Sequence, residues 1–177
     1  MKEELVKIYD ENGIYLNELI SKKEAKAKNL FHKAIHLWII VGDKILIQQR
    51  NENKKIFPNM WDISVAGHIV ENDSSQETVV KELKEELGID ITSNEIEYLY
   101  CLRRTGEQKG NMFFDTYVLV LPASFNLSNI KLEESEVKAI KLVNQDYLEK
   151  IIEGSQEEFA PRQMECQMFN YYLNNKK

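Results

Sequence analysis

Between Ser74 and Gly88 the sequence marks both ends of a helix, and no other segment of the chain is fixed so firmly by local chemistry. Ser74 supplies an N-cap hydroxyl, Glu77 three residues on completes a capping box, and Gly88 offers the left-handed residue that closes a helix. Within those limits Val79, Val80, Leu83 and Leu87 recur at helical spacing and share one side. On an adjoining face Glu82, Glu85 and Glu86 stand at i, i+3 and i+4, so three carboxylates crowd one turn. Like charges so spaced cost a helix about 0.2–0.5 kcal/mol per pair. The negative end of the helix dipole adds to the penalty. Two readings follow: a solvated acidic face, or a site for a hard cation such as Mg2+, which takes carboxylates together with waters and substrate phosphates.

The flanking pattern predicts strands joined mostly by hairpins. Leu5–Tyr9 and Ile14–Leu16 surround Asp10-Glu-Asn-Gly13, a strong hairpin signal, and Ser21–Lys28 reads as a short helix or linker. Phe31–Val41 and Lys44–Arg50 form a longer hairpin across Gly42-Asp43, its continuous apolar run implying burial on both faces. The polar stretch 51–59 is a loop, and Trp61–Val65 is a short strand running into Gly67. Asn94–Thr105, Met112–Leu121 and Val137–Val143 are further strands. Asn144 caps a helix through Ile152, and a last helix lies around Pro161–Leu173. About seven strands and three helices, intermixed, predict an α+β fold or a mixed sheet between helical layers.

At 177 residues the chain fits one domain, or one with a small appendage, and can bury a proper core. A net charge of −6 argues against a general binder of nucleic acid or anionic membrane. Cys101 and Cys166 lie far apart with no CxxC spacing, which suits a reducing compartment. The N-terminus shows no apolar signal core, and the longest apolar run, Leu37–Val41, is far short of the roughly 20 residues that span a bilayer. The expectation is a cytoplasmic protein.

The run from Gly67 to Ile89 decides between the readings of the acidic helix. It resembles the Nudix box: Gly, five residues, Glu, seven residues, then Arg-Glu-apolar-any-Glu-Glu-any-Gly-apolar. Gly67, Glu82, Leu83, Glu85, Glu86, Gly88 and Ile89 match in register, while Asp73 replaces the motif Glu and Lys81 the motif Arg. Lys keeps the charge without the bidentate fork. The resemblance extends through Lys7–Gly13, Phe31–Ile39, Ile45–Arg50, Phe57–Asp62, Glu134–Val143 and Glu158–Pro161, and is similar to a bacterial Nudix subgroup close to type I isopentenyl-diphosphate isomerase.

That resemblance implies an α/β/α sandwich around a mixed sheet. A hairpin and linker over residues 1–28 would pack on a main domain of 29–177. It implies a Mg2+-dependent hydrolase of a phosphoanhydride, with Mn2+ as the expected substitute and a small diphosphate or nucleotide as substrate. Glu82, Glu85 and Glu86 become metal ligands, one of them a candidate base, joined by the Ala66 backbone carbonyl. Lys81 would hold the glutamates in place. From the loop carrying Glu133, Glu134 and Glu136, Glu134 is the favoured extra carboxylate. Arg50 and Arg103, at strand ends, are candidates for phosphate contact, as are Gly67 and His68. The isomerase carries a catalytic Cys just before its Gly-His pair, where this chain has Ala66, so the isomerase reaction is the less favoured alternative. A non-catalytic nucleotide-binding module is the other, motivated by Asp73 and Lys81. Trp38 and Trp61 are expected in the core or at its rim. Tyr171, Tyr172 and Leu173 are expected to pack a helix and leave room for a homodimer contact. Specificity is expected from loops 51–60, 106–111 and 122–136.

Overall fold

The computed structural model describes residues 4–106, 110–156 and 158–176. The first hairpin forms as its turn chemistry dictates. Strands β1 (Leu5–Tyr9) and β2 (Tyr15–Ser21) pair antiparallel, Gly13 takes φ 82°, and the Asp10 carboxylate accepts from the Asn12 and Ile14 amides. Helix α1 (Lys22–Ala27) follows at once, its first turn capped by the Ser21 hydroxyl, which accepts from the Glu24 amide at 3.1 Å. Val6, Ile8 and Ala25 form a small core between them, with Ile20 and Leu30 at its margin.

Seven strands make the main sheet: β3 (His32–Val41), β4 (Lys44–Arg50), β5 (Trp61–Asp62), β6 (Val65–His68), β7 (Ile96–Arg104), β8 (Met112–Leu121) and β9 (Val137–Val143). Their order is β5-β4-β3-β8-β7, with β6 paired to β3 and β9 to β4. Nearly every residue of β3 is buried, as its unbroken apolar run requires. Helices α2 (Ser75–Leu87), α3 (Gln145–Ile152) and α4 (Gln163–Asn175) complete an α+β architecture.

Two expectations are corrected. The strand from Trp61 breaks in two at Ile63-Ser64. There the Ser64 hydroxyl accepts from the Ile39 amide at 2.8 Å and donates to the Leu46 carbonyl at 2.6 Å, standing in for ladder bonds. The strand expected from Asn94 begins instead as a 3-10 turn, Ser93–Glu95, because Thr92 and Glu95 form a capping box.

The chain falls into two compact units. One comprises Met1–Leu37, Val65–Lys84 and Asp90–Val118; its core includes Ala34, Met112 and Phe114. The other comprises Trp38–Ser64, Glu85–Ile89 and Leu119–Lys177. Here Trp38 stacks on Phe169 at 4.4 Å, α3 packs on α4, and a buried charge cluster ties the start of α4 to β5. In that cluster Arg162 Nε meets Asp62 Oδ1 at 2.6 Å and Arg162 Nη1 meets Glu165 Oε1 at 3.1 Å. Burial alone would depress the Arg162 guanidinium, but Asp62 and Glu165 outweigh it and raise its pKa. No helix among the described residues is long and apolar enough to cross a membrane.

Candidate active site

Helix α2 begins as its sequence demands. The Ser74 amide and hydroxyl both donate to Glu77 Oε2, at 2.8 and 2.7 Å, and the Glu77 amide returns a bond to Ser74 Oγ at 3.2 Å. Ser75 Oγ lies 2.5 Å from the Tyr117 hydroxyl. Val79, Leu83 and Leu87 are fully buried, so the rotation of the helix is set and the three glutamates fall in different surroundings. Glu85 is exposed, Glu82 is half-buried and Glu86 is buried. Val80, expected with the apolar stripe, is only partly covered; the carboxylate-bearing Glu86 takes a place in the stripe instead.

Strand β6 sets one partner. It runs antiparallel to β3, with Gly67 opposite Ile35 and His68 opposite Ala34. The Glu82 side chain lies where a Gly67 side chain would be: a Cβ built on Gly67 would overlap Glu82 Oε1, Cδ and Cγ. The approach is so close that any side chain at this position would push the flexible Glu82 side chain aside. Side chains alternate along a strand, so His68 points to the face opposite Gly67. There its ring stacks on His32, 5.6 Å between centroids. Burial, then the charges of Lys22, His32, Arg104 and His36, pull the His68 pKa down to about 3, and burial lowers that of His32. Both are neutral near pH 7.

Lys81 lies on the exposed side of α2, 3.7 Å from the Asp73 carboxylate. The C-terminal end of α2 is closed by the loop before β9. Gly88 takes φ 66°, the Lys131 amide donates to the Leu87 carbonyl at 3.0 Å, and the Glu133 amide to the Glu86 carbonyl at 3.0 Å. Orphan helix carbonyls are thereby satisfied, and the Glu133–Glu136 loop is fastened beside Glu86. Two of its carboxylates are engaged: Glu133 accepts from the Ser135 amide and hydroxyl, and Glu136 pairs with Lys54. The exposed Glu134 side chain has no hydrogen bond or ion pair among the described residues; its backbone carbonyl accepts from Asn51 Nδ2 at 2.6 Å.

The two arginines are tied locally. Arg50 Nε donates to the Ile56 carbonyl at 3.0 Å and Nη1 reaches Asp62 at 3.4 Å, bracing loop 51–59. Arg103 stands 3.7 Å from Glu11 and over the Phe31 ring. Of loop 106–111, residues 107–109 lie outside the described residues. Trp38 is buried, and Trp61 is half-buried beneath the Lys141 ammonium, 3.9 Å from the ring centroid.

Sequence reasoning missed Gln48. Its Nε2 donates to Glu86 Oε2 at 3.1 Å, with both residues buried. The signal available was an amide in mid-strand directly after Ile45-Leu46-Ile47.

Among the described residues no three His, Cys, Asp or Glu side chains stand close enough to form a finished metal cage. The donors fit Mg2+ nonetheless, because that ion binds through one or two carboxylates and keeps several waters and phosphate oxygens. A carboxylate side chain lying against Gly67, and a second one buried, are the kind of oxygen donors such an ion takes.

Residues 30–163 match the model of the NUDIX domain, more than half of the 177 residues. The chain belongs to the Nudix family. Nudix hydrolase 3 of Arabidopsis thaliana is 34% identical over 120 residues, 64% of this chain but only 16% of the relative's length. An uncharacterized Nudix hydrolase of Clostridium acetobutylicum is 31% identical over 161 residues, 87% of this chain and 76% of the relative. Similarity to the isopentenyl-diphosphate Delta-isomerase of Shigella flexneri serotype 5b is weaker, 27% over 138 residues, covering 77% and 75%. The Deinococcus radiodurans protein DR0079 shares the fold with a TM-score of 0.72 at 16% identity, covering 93% of this chain and 98% of that one. The NUDIX domain of Shewanella oneidensis NrtR, solved with ADP ribose, gives 0.59 at 17% identity, covering 80% and 87%. The NUDIX domain match and the Clostridium relative support a hydrolase.

Proposed function

We propose that this Nudix hydrolase cleaves the phosphoanhydride of a nucleoside diphosphate derivative or nucleotide with Mg2+, using one turn of α2. The observation that carries the reading is the Glu82 side chain lying against Gly67, which joins the first and central residues of the motif. Glu82, Glu85, Glu86 and that carbonyl would hold the ion. When bound, it neutralises diphosphate charge and lowers the pKa of a coordinated water. The chain's own part would be to orient a water for in-line attack on phosphorus with a glutamate and to hold the carboxylates of α2 rigid. Glu134, beside Glu86 and without a competing partner, is the candidate for an additional carboxylate. Lys81 restrains the start of this turn through Asp73 and is assigned no direct contact with phosphate.

Arg50 and Arg103 would offer guanidinium edges to the substrate on release from their local partners. His68 is assigned to the packing of the sheet. Residues 29–177 form the hydrolytic domain on this reading, with the hairpin and linker of 1–28 as an appendage. The ADP ribose bound by the Shewanella domain supports a nucleotide-sized substrate. The isomerase reaction is disfavoured by its lack of a suitable thiol: Ala66 precedes Gly67, Cys166 is buried, and burial and Asp115 push the Cys101 thiol up to about 11.

The test is turnover of a panel of nucleoside diphosphates, triphosphates, sugar nucleotides and dinucleotides with Mg2+, in the wild type, Glu85→Gln and Glu86→Gln. Loss of about 100-fold or more in either variant supports the assignment; unchanged turnover in both removes it. Metal-dependent binding with no turnover in the wild type would favour the non-catalytic module.

A further inference from the structure

Strand β4 buries one side chain that its apolar pattern does not call for. Gln48 is 3% exposed and follows three buried aliphatics, Ile45, Leu46 and Ile47. Its backbone is paired on both edges, to Asp62 of β5 and Ile140 of β9, so the side chain stands on a fixed base. The amide donates from Nε2 to Glu86 Oε2 at 3.1 Å, while its Oε1 is buried and has no hydrogen-bond partner among the described residues. A buried acceptor left unsatisfied costs about 1–3 kcal/mol. A strand built only to pack would do better with leucine there.

We propose that Gln48 is a positioning residue of the hydrolytic site. Its donor fixes the buried Glu86 carboxylate on a rigid strand. The proposal rests on Glu86 being a metal ligand. Groups in this outer position set the orientation of ligating carboxylates, and their loss typically weakens metal binding or activity about 10–100-fold.

The experiment titrates Mn2+ by calorimetry into the full chain as wild type, Gln48→Leu and Glu86→Gln, with thermal melting of each in chelator. Gln48→Leu is expected to keep a cooperative melt and to bind Mn2+ about 10–100-fold more weakly. Should Gln48→Leu lose its cooperative melt, Gln48→Met, which keeps the length and removes only the amide, is expected to show the same loss of affinity. If Glu86→Gln weakens Mn2+ binding while the Gln48 variant stays within twofold of wild type, the positioning role is overturned and the metal site stands. If Glu86→Gln itself binds Mn2+ as the wild type does, both the role and the site it serves are overturned.

Discussion

The Lys81 ammonium stands 3.7 Å from the Asp73 carboxylate, and these are the two positions at which the chain departs from the Nudix pattern. The replacements therefore meet each other: the shorter acid and the unforked base still form a pair across the entry to α2. Lys81 is about half exposed. A pair of this kind contributes roughly 0–1 kcal/mol. Asp73→Asn and Lys81→Met are each expected to lower the melting temperature by no more than about 4 °C for a domain of this size. A double-mutant cycle in urea checks this. Coupling above about 2 kcal/mol would mean that the pair restrains the helix far more than its exposure allows.

Gly67→Ala is expected to separate stability from activity. The new methyl would occupy the space of the Glu82 carboxylate, which must swing aside into solvent. Turnover with Mg2+ should fall by about 100-fold or more, since misplacing a group by even about 1 Å costs that much. The melting temperature in chelator should stay within a few degrees. Full activity in Gly67→Ala would show that Glu82 need not lie on this backbone.

Acid should weaken the fold through its histidines. In the unfolded chain His32 and His68 titrate near 6.5; in the fold both are lowered, His68 to about 3. Between those values the unfolded chain binds protons that the native one refuses. Their contribution is thus complete above about pH 6.5 and is lost as pH falls toward 3. Melting in chelator from pH 7 to 4 should show a steady decline, shallower in His68→Gln. Parallel declines in the two proteins would assign the acid sensitivity elsewhere.

Arg162→Met should be the costliest of these changes. It strips the buried Asp62 of its two Arg162 contacts, at 2.6 and 3.1 Å, and leaves the Ile63 amide at 2.9 Å and Arg50 at 3.4 Å. Removing one partner of a buried pair costs about 3–5 kcal/mol. Denaturant unfolding should show a loss of that order, and a change under 1 kcal/mol would mean that Arg50 takes over.

What the sequence made legible was local. Ser74, Glu77 and Gly88 bound a helix because capping depends on a few neighbouring residues, and Asn12-Gly13 turned a hairpin for the same reason. The glutamate spacing and Gly67 placed the candidate site. Long-range pairings were not legible: the Ser64 hydroxyl breaking one strand between Ile39 and Leu46, Arg162 reaching Asp62, and Gln48 reaching Glu86. Helical periodicity could group Glu82, Glu85 and Glu86 but could not say that Glu86 alone would be buried, since that depends on which strand the helix meets.

The most direct measurement is phosphorus NMR of nucleoside diphosphate derivatives, ADP ribose among them, incubated with the protein and Mg2+ or with chelator. The expected result is metal-dependent loss of the paired diphosphate resonances of at least one compound and growth of monoester resonances. A diphosphate that survives across the whole panel, or cleavage that proceeds equally in chelator, would contradict the assignment of this acidic helix to metal-dependent phosphoanhydride hydrolysis.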